Sequence, residues 1–273
     1  MNAAKITRQS KSNLALAFVA LGRERKRDMT VFYAFCRTID DIADVPGIDY
    51  AERKNRLTKW HQMVRQSIPD EPSLASDVRG LMAKYSLSPA MLDEIIAGVE
   101  MDLTITRYAT FDALRLYCYR VASAVGLVSI EIFGCRNRQC KDYAIELGLA
   151  LQMTNIIRDV CKDLSHDRIY LPQEDLARFG YSDADLQAHR YNEAFVQLME
   201  FQAARARTFF QKAAALLPRE ERRALVSAEI MGSIYRGLLR KMELDQFQVF
   251  AKEYRLSKLE KASRIIIELL KMI

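Results

Sequence analysis

The sequence predicts an all-α protein, one domain over residues 1–273, with a cavity between its central helices. Three observations predict it. Apolar residues recur at helical spacing along almost the whole chain. Convincing runs of alternating apolar and polar residues, the mark of a half-buried strand, are absent. No low-complexity tract or linker divides the 273 residues, and 50% of them are hydrophobic, enough for one sizeable core.

The elements follow in order. A first helix is expected over 10–21. Lys5, Arg8 and Lys11 before the apolar run 14–21 imitate a secretory leader, but the basic stretch Arg23-Glu-Arg-Lys-Arg27 follows without a cleavage site, so the run reads as a core helix. A second helix begins near Glu24 and carries Tyr33, Arg37, Asp40 and Asp44; Val45-Pro46-Gly47 stops it. A third covers 50–66, ended by Pro69 and Pro72, and a fourth covers 74–85. Ser88 and Pro89 form a cap and a first-position proline for a helix reaching about 104, whose Glu100 and Asp102 fit a solvated end. A long apolar helix is expected over 111–133. Its small residues read either as close helix packing or as a thinned cavity wall. The helix 138–164 comes next, then a loop, 165–172, expected to lie over acidic side chains with Arg168 and Tyr170 turned in. A short helix, 173–179, closes at Gly180. Ser182 and Asp185 form a capping box, as do Ser257 and Glu260 before the last helix. Long helices over 192–217 and 219–250 are separated by Pro218. The apolar tail 264–273 is too short to span a bilayer; it packs on the fold or rests on a membrane surface. No unbroken apolar run approaches the length of a transmembrane helix, so none is expected.

The net charge of +6 suits an anionic substrate or a membrane surface, while the interspersed acids argue against nucleic acid. Five cysteines, with no Cys-x-x-Cys pair, argue against a disulfide scaffold or a zinc site and fit a reducing cytoplasm. Peripheral contact with the inner face of the membrane stays open, as does the oligomeric state. Three scattered histidines argue against transition-metal and di-iron sites.

The chemistry is concentrated in two stripes. Asn155, Asp159 and Asp163 recur every four residues, which places them on one face of a helix. Ile156, Ile157 and Val160 beside them make the segment apolar. Carboxylates one turn apart repel by roughly 0.2–0.5 kcal/mol on an exposed helix. The cost is larger near a core unless a cation neutralises them. A hard, oxygen-loving ion, Mg²⁺ above all, is the natural counter-charge. Asp40 and Asp44 repeat the device, with Arg37 one turn earlier as Arg158 adjoins Asp159. A single Asp-x-x-x-Asp commonly marks a solvated helix face. Two copies inside apolar segments, each with an arginine, point to two helices facing across a cavity, with metal ions between them holding an anionic ligand.

Arg37-x-x-Asp40-Asp41-x-x-Asp44, Tyr117-Cys-Tyr-Arg-Val-Ala-Ser-Ala-Val-Gly126, and Gln152-x-x-Asn155-x-x-Arg158-Asp159-x-x-x-Asp163 with Arg168-Ile-Tyr-Leu-Pro172 resemble squalene/phytoene synthases, the head-to-head prenyl synthases. The resemblance runs from about residue 10 to about residue 261. It implies an isoprenoid-synthase-type helical bundle that joins two prenyl diphosphates through a cyclopropylcarbinyl diphosphate, the second ionisation giving a 1′–1 linked product. It implies Asp40, Asp44, Asp159 and Asp163 as ligands of Mg²⁺ or Mn²⁺. Tyr117 would assist proton loss, with Arg37 and Tyr235 also catalytic. Tyr33, Gln152, Asn155, Arg158, Arg168 and Tyr170 would bind substrate, with Val121, Ala122 and Val125 along the hydrocarbon tail. A core tyrosine is the rival reading of Tyr235 and of Tyr119. NADPH use is open, since no glycine-rich dinucleotide fingerprint occurs and the family's reducing members lack one too. Where the family usually has Ser-Phe-Tyr in its first helix, this chain has Ser12-Asn13-Leu14, which leaves tail length open. Two farnesyl diphosphates giving presqualene diphosphate, squalene or dehydrosqualene is the leading expectation; two geranylgeranyl diphosphates giving phytoene is the alternative. Head-to-tail synthases and terpene cyclases share the metal logic but not the Arg-Ile-Tyr-Leu-Pro tail. A non-catalytic assembly factor would tend to have lost motif aspartates, and all four stand here.

Overall fold

The computed structural model describes residues 18–45 and 47–271, and among them twelve α-helices follow one another with no strand. They are α1 (Arg23–Asp44), α2 (Tyr50–Met63), α3 (Ser73–Tyr85), α4 (Pro89–Met101), α5 (Phe111–Cys118), α6 (Ala124–Phe133) and α7 (Gln139–Leu164). After these come α8 (Gln173–Arg178), α9 (Asp183–Gln187), α10 (Glu193–Leu216), α11 (Val226–Leu244) and α12 (Lys258–Leu270). The chain is thus all-α in the manner the sequence predicts. Side-chain caps start several helices, those at Ser88, Ser182 and Ser257 where the sequence places them. Ser88 accepts the Ala90 N–H, with Pro89 at the first position, and Asn192 accepts that of Phe195. Ser182 with Asp185, and Ser257 with Glu260, close both halves of a capping box.

Several boundaries differ from expectation, among them the end of α2, at Met63 rather than near 66. Of the helix expected over 10–21, the described part, Phe18–Ala20, is a single 3-10 turn; residues 10–17, with Ser12, Asn13 and Leu14, lie outside the described residues, as does Pro46. The helix expected over 219–250 begins only at Val226, after a 3-10 turn at Arg219–Glu221, and stops at Leu244. There Gln246 and Phe247 take left-handed backbone conformations, φ 50° and 56°, which turn the chain and bury the Phe247 ring. The helix from Pro89 stops at Met101 rather than near 104.

The centre of the fold is α7. It is buried on most of its circumference, through Leu149, Ala150, Met153, Thr154 and Ile157 among others, because α10, α6, α5 and α11 all pack on it. A helix covered that widely is fixed in register and rotation, so the one side it leaves open is fixed too. That open side carries the Asn155 stripe. The α1 helix buries Phe32, Phe35 and Ile39 against its neighbours and leaves Arg37, Asp40 and Asp44 on the other side.

The stretch Phe111–Phe133, expected as one helix, is α5, a five-residue π turn at Tyr119–Ser123, and α6. The π turn is wedged between α4 and α7. A Cβ on Gly98 of α4 would stand 2.8 Å from Arg120 Cβ and from Val121 Cγ1. A Cβ on Gly148 of α7 would stand 2.5 Å from Ser123 Cα, and Ser123 Oγ donates to the Ile145 carbonyl at 2.8 Å. The extra residue in the turn re-aims Val121 while both glycines let the backbones close. By length and mean hydropathy Phe111–Phe133 is apolar enough to cross a membrane, but core helices meet the same measure, so the expectation drawn from unbroken runs is not overturned. Averaging tolerates the serines, whose hydroxyls are bonded to backbone carbonyls. Half of its most apolar window is buried within the fold, as in a core helix. At the other end of the chain, α12 packs against α11 and leaves Leu259, Ile266, Ile267 and Leu270 exposed.

Gly148→Ala tests the wedge. Alanine gains helix propensity worth up to about 1 kcal/mol over glycine, but its methyl meets backbone that cannot swing aside, an overpacking cost of about 1–3 kcal/mol. Urea denaturation of the variant is expected to show a net loss of stability.

Candidate active site

The two acidic stripes meet. Arg37, Asp40 and Asp44 from α1 and Gln152, Asn155, Arg158, Asp159 and Asp163 from α7 line one cavity of about 230 Å³. Arg168 and Tyr170 from the loop after α7, and Tyr117 and Val121 from α5 and the π turn, complete it. Ala43, Val99, Val121 and Ile156 supply apolar wall.

The loop is pinned as well as ordered. Ile169 donates to the Thr106 carbonyl at 2.9 Å and forms a parallel bridge with Arg107, while the Arg168 N–H donates to the Asp163 carbonyl at 2.9 Å. Downstream, Asp175 of α8 is buried and held by Arg205 at 2.6 Å and Gln202 at 2.9 Å from α10. The loop is therefore tied at both ends. From it Arg168 Nη1 reaches Asp44 Oδ1 at 3.1 Å, joining loop to α1 across the cavity. The other arginines rest within their helices: Arg37 on Asp41 at 2.5 Å, and Arg158 on Asp159 with both forks, one at 2.7 Å. Asn155 donates to Gln152 Oε1 at 3.2 Å, but its own Oδ1 is buried and has no partner. A buried acceptor left bare calls for a ligand.

Asp102 is the residue that sequence reasoning missed. It was expected at a solvated helix end. Instead the chain turns tightly after Met101, Ile105 N–H donating to the Met101 carbonyl at 2.8 Å, and carries Asp102 under two tyrosines. Tyr170 donates to Asp102 Oδ1 at 2.7 Å, and the Tyr117 hydroxyl lies 3.1 Å from Oδ2 and 3.2 Å from the Tyr170 hydroxyl. The Tyr117 and Tyr170 rings stack at 5.0 Å, with Tyr108 stacked on Tyr170 at 6.0 Å. Nothing local in the sequence marks Asp102 or Tyr108; only the tertiary fold brings them to Tyr117 and Tyr170. Val99, Lys162 and His166 also line the cavity unforeseen.

Four expected residues stand outside this wall. Tyr33 is buried edge-on against Phe18, with ring centres 6.4 Å apart. Ala122 and Val125 are half-buried on the π turn and α6. Tyr235 is half-buried on α11, beside Arg158.

Crowding and loss of water shape the electrostatics. Burial, then the charge of Asp159, pushes the Asp163 carboxyl up to about 8. Asp40 opens onto the cavity but is ringed by protein; burial lifts it to about 7 against the pull of Arg37, helped by Asp102, Asp44 and Asp41. Burial also lifts Asp102 to about 6, opposed by the Tyr170 bond and the Arg168 charge. Burial raises the Tyr117 phenol well above its ordinary value, and the Asp102 charge raises it further. An all-oxygen donor set of crowded carboxylates, with a spare amide oxygen, fits a hard divalent cation.

Comparison with known proteins gives the site a context. Residues 7–260 match the squalene/phytoene synthase family profile. The phytoene synthase of Arthrospira platensis is 35% identical over 265 residues, covering 90% of this chain and 84% of that one. The 15-cis-phytoene synthase of Synechococcus elongatus is 32% identical over 266 residues, covering 91% and 85%. A crystal structure of a dehydrosqualene synthase in complex with ligand superposes with a TM-score of 0.83 at 25% identity, covering 99% of this chain and 94% of that one.

The raised carboxyls set a sign for stability. Asp163 has a folded value of about 8 against an ordinary 3.8, so between those limits the folded metal-free chain binds more protons than the unfolded one. Its stability contribution is therefore present at low pH and is lost as the pH rises toward 8. Denaturation in chelator is expected to show a loss on the order of 1 kcal/mol between pH 5 and pH 8 after screening by solvent. Asp163→Asn should shrink that loss.

Proposed function

We propose that this chain, which belongs to the squalene/phytoene synthase family, joins two farnesyl diphosphates head to head to give presqualene diphosphate and, from it, squalene or dehydrosqualene. That it is a prenyltransferase of this type acting on prenyl diphosphates follows from the family. The observation that carries the proposal is the meeting of the Asp40–Asp44 and Asp159–Asp163 pairs around one cavity with an apolar wall.

Each step of the chemistry has a residue suited to it. Arg37, Arg158, Arg168 and Lys162 offer charge-assisted hydrogen bonds to the diphosphate oxygens. Asp40, Asp44, Asp159, Asp163 and the bare Asn155 Oδ1 would hold Mg²⁺, or Mn²⁺, which when bound supplies the positive charge that stabilises departing diphosphate. For Arg37 and Arg158 the bound diphosphate takes over part of what Asp41 and Asp159 now supply. Val99, Val121 and Ile156 keep water from the allylic cation. Carbon–carbon bond formation leaves a proton to be removed. The Tyr117 hydroxyl can take it while passing its own proton to Asp102, whose carboxyl burial lifts to about 6 and Tyr170 steadies.

The farnesyl reading is supported by the extent and closeness of the likeness to the dehydrosqualene synthase structure. A second reading, two geranylgeranyl diphosphates giving phytoene, is favoured by the 35% identity with a phytoene synthase. Incubation with C15 and with C20 diphosphates, with and without NADPH and with no isopentenyl diphosphate, followed by mass analysis, separates them. A doubled C30 product is expected; a C40 product alone would replace the substrate, and no doubled product would remove head-to-head coupling.

Asp40→Ala and Asp159→Ala are each expected to abolish turnover with helical content unchanged, and chelator should abolish it in the native chain until Mg²⁺ is restored. Asp102→Asn keeps the shape but gives up the proton acceptor; its turnover should fall about 10²–10⁴-fold, read by single-turnover kinetics beside circular dichroism.

A further inference from the structure

We propose that Cys135, Cys140 and Glu221 form a second metal site, for a thiophilic divalent ion of the zinc class, separate from the diphosphate cavity. The two Sγ atoms and a Glu221 carboxylate oxygen all lie within 4.8 Å of one another. Around a tetrahedral zinc, with sulfur at about 2.3 Å and carboxylate oxygen at about 2.0–2.2 Å, such ligand atoms stand roughly 3.3–3.8 Å apart. The three stand within about 1.5 Å of that spacing, and water would complete the tetrahedron.

The backbone prepares this cluster. Gly134, at φ +81°, ends α6 in the left-handed conformation, and Cys135 N–H donates back to the Ile130 carbonyl at 3.1 Å. The chain then enters α7, where Cys140 is the second residue. Four residues separate the cysteines, within the usual range for a chelating pair. Glu221 comes from the 3-10 turn before α11. Its Oε1 accepts the N–H groups of Arg136 and Asn137, both at 2.8 Å, and the Asn137 side chain donates to Glu220 at 2.6 Å. These bonds aim the carboxylate and leave it further acceptor capacity, the kind of outer support that holds metal ligands in place. Cys140 is buried; Cys135 and Glu221 are half-buried, so an ion can enter from one side.

All five cysteines are free thiols, and the sequence alone argued against zinc. The third ligand is remote in sequence, so only the fold completes the set. Thiolates select zinc-class ions, whereas the all-oxygen cavity selects Mg²⁺. Cys140 and Asp159 share α7 but stand roughly 28 Å apart along its axis at about 1.5 Å per residue. A bound ion would staple the α6–α7 connection to the turn before α11.

The test is a Cd²⁺ titration of the full, reduced chain in excess Mg²⁺, following the ultraviolet charge-transfer band of cadmium thiolate. The band should saturate at one Cd²⁺ per chain and be displaced by Zn²⁺. Cys135→Ser and Cys140→Ser should each lose most of it, Glu221→Gln should weaken binding by at least about tenfold, and Cys161→Ser should keep it. No band in the native chain, or one that survives both cysteine variants, overturns the proposal. If those variants do not fold, the native chain still decides. Cd²⁺ should protect Cys135 and Cys140 from a thiol-blocking reagent, as mapped on peptides, and protection elsewhere or nowhere overturns the site.

Discussion

Like charges crowded around one partly open cavity are the constraint to which the rest of this fold answers. Five aspartates line one cavity, against Arg37, Arg158, Arg168 and Lys162. Burial alone would drive Asp163, Asp40 and Asp102 toward their protonated forms. Such a cluster costs folding energy and persists only where the surrounding packing over-determines it. The cover of four helices on α7 is that packing, and it fixes the rotation that points Asn155, Asp159 and Asp163 at α1. The same strain makes the site receptive: a dication removes the repulsion that the fold sustains without it.

Shape around the charges comes from a local irregularity. A regular helix through 119–123 would rotate everything beyond it. The π turn absorbs one residue, brings Val121 to the cavity and seats Ser123 on Gly148. Upstream of it, Tyr117 reaches Asp102; opposite, the pinned loop brings Tyr170 to the same carboxylate. One wall is therefore aromatic and proton-bearing, the other acidic and arginine-rich. That division matches a substrate with an anionic head and a reacting carbon chain.

Much of this was legible in the sequence because it is local. Ser88 before Pro89 and the Ser182 and Ser257 boxes act within one helical turn, and the four-residue spacing of Asp159 and Asp163 places them on one face in any α-helix. What escaped is tertiary. Asp102 looks like any acid at a helix end until the turn after Met101 brings it under Tyr117 and Tyr170. The π turn depends on the space that Gly98 and Gly148 leave, which one strand of sequence does not display. The end of α11 at Leu244 is set by the left-handed Gln246 and Phe247, residues that carry no turn signature. Cys135 and Cys140 gain meaning only beside Glu221.

The central claim is that α1 and α7 act as one cation-bridged site for diphosphate. Calorimetric binding of inorganic diphosphate in Mg²⁺ to the native chain, to Asp40→Asn, to Asp159→Asn and to the double variant measures it most directly. If the helices share the ions, either single change should remove most of the Mg²⁺-dependent affinity and the second should add little, a coupling of about 1.4 kcal/mol or more, tenfold in affinity. Losses that simply add, or diphosphate binding that persists without Mg²⁺, would contradict it.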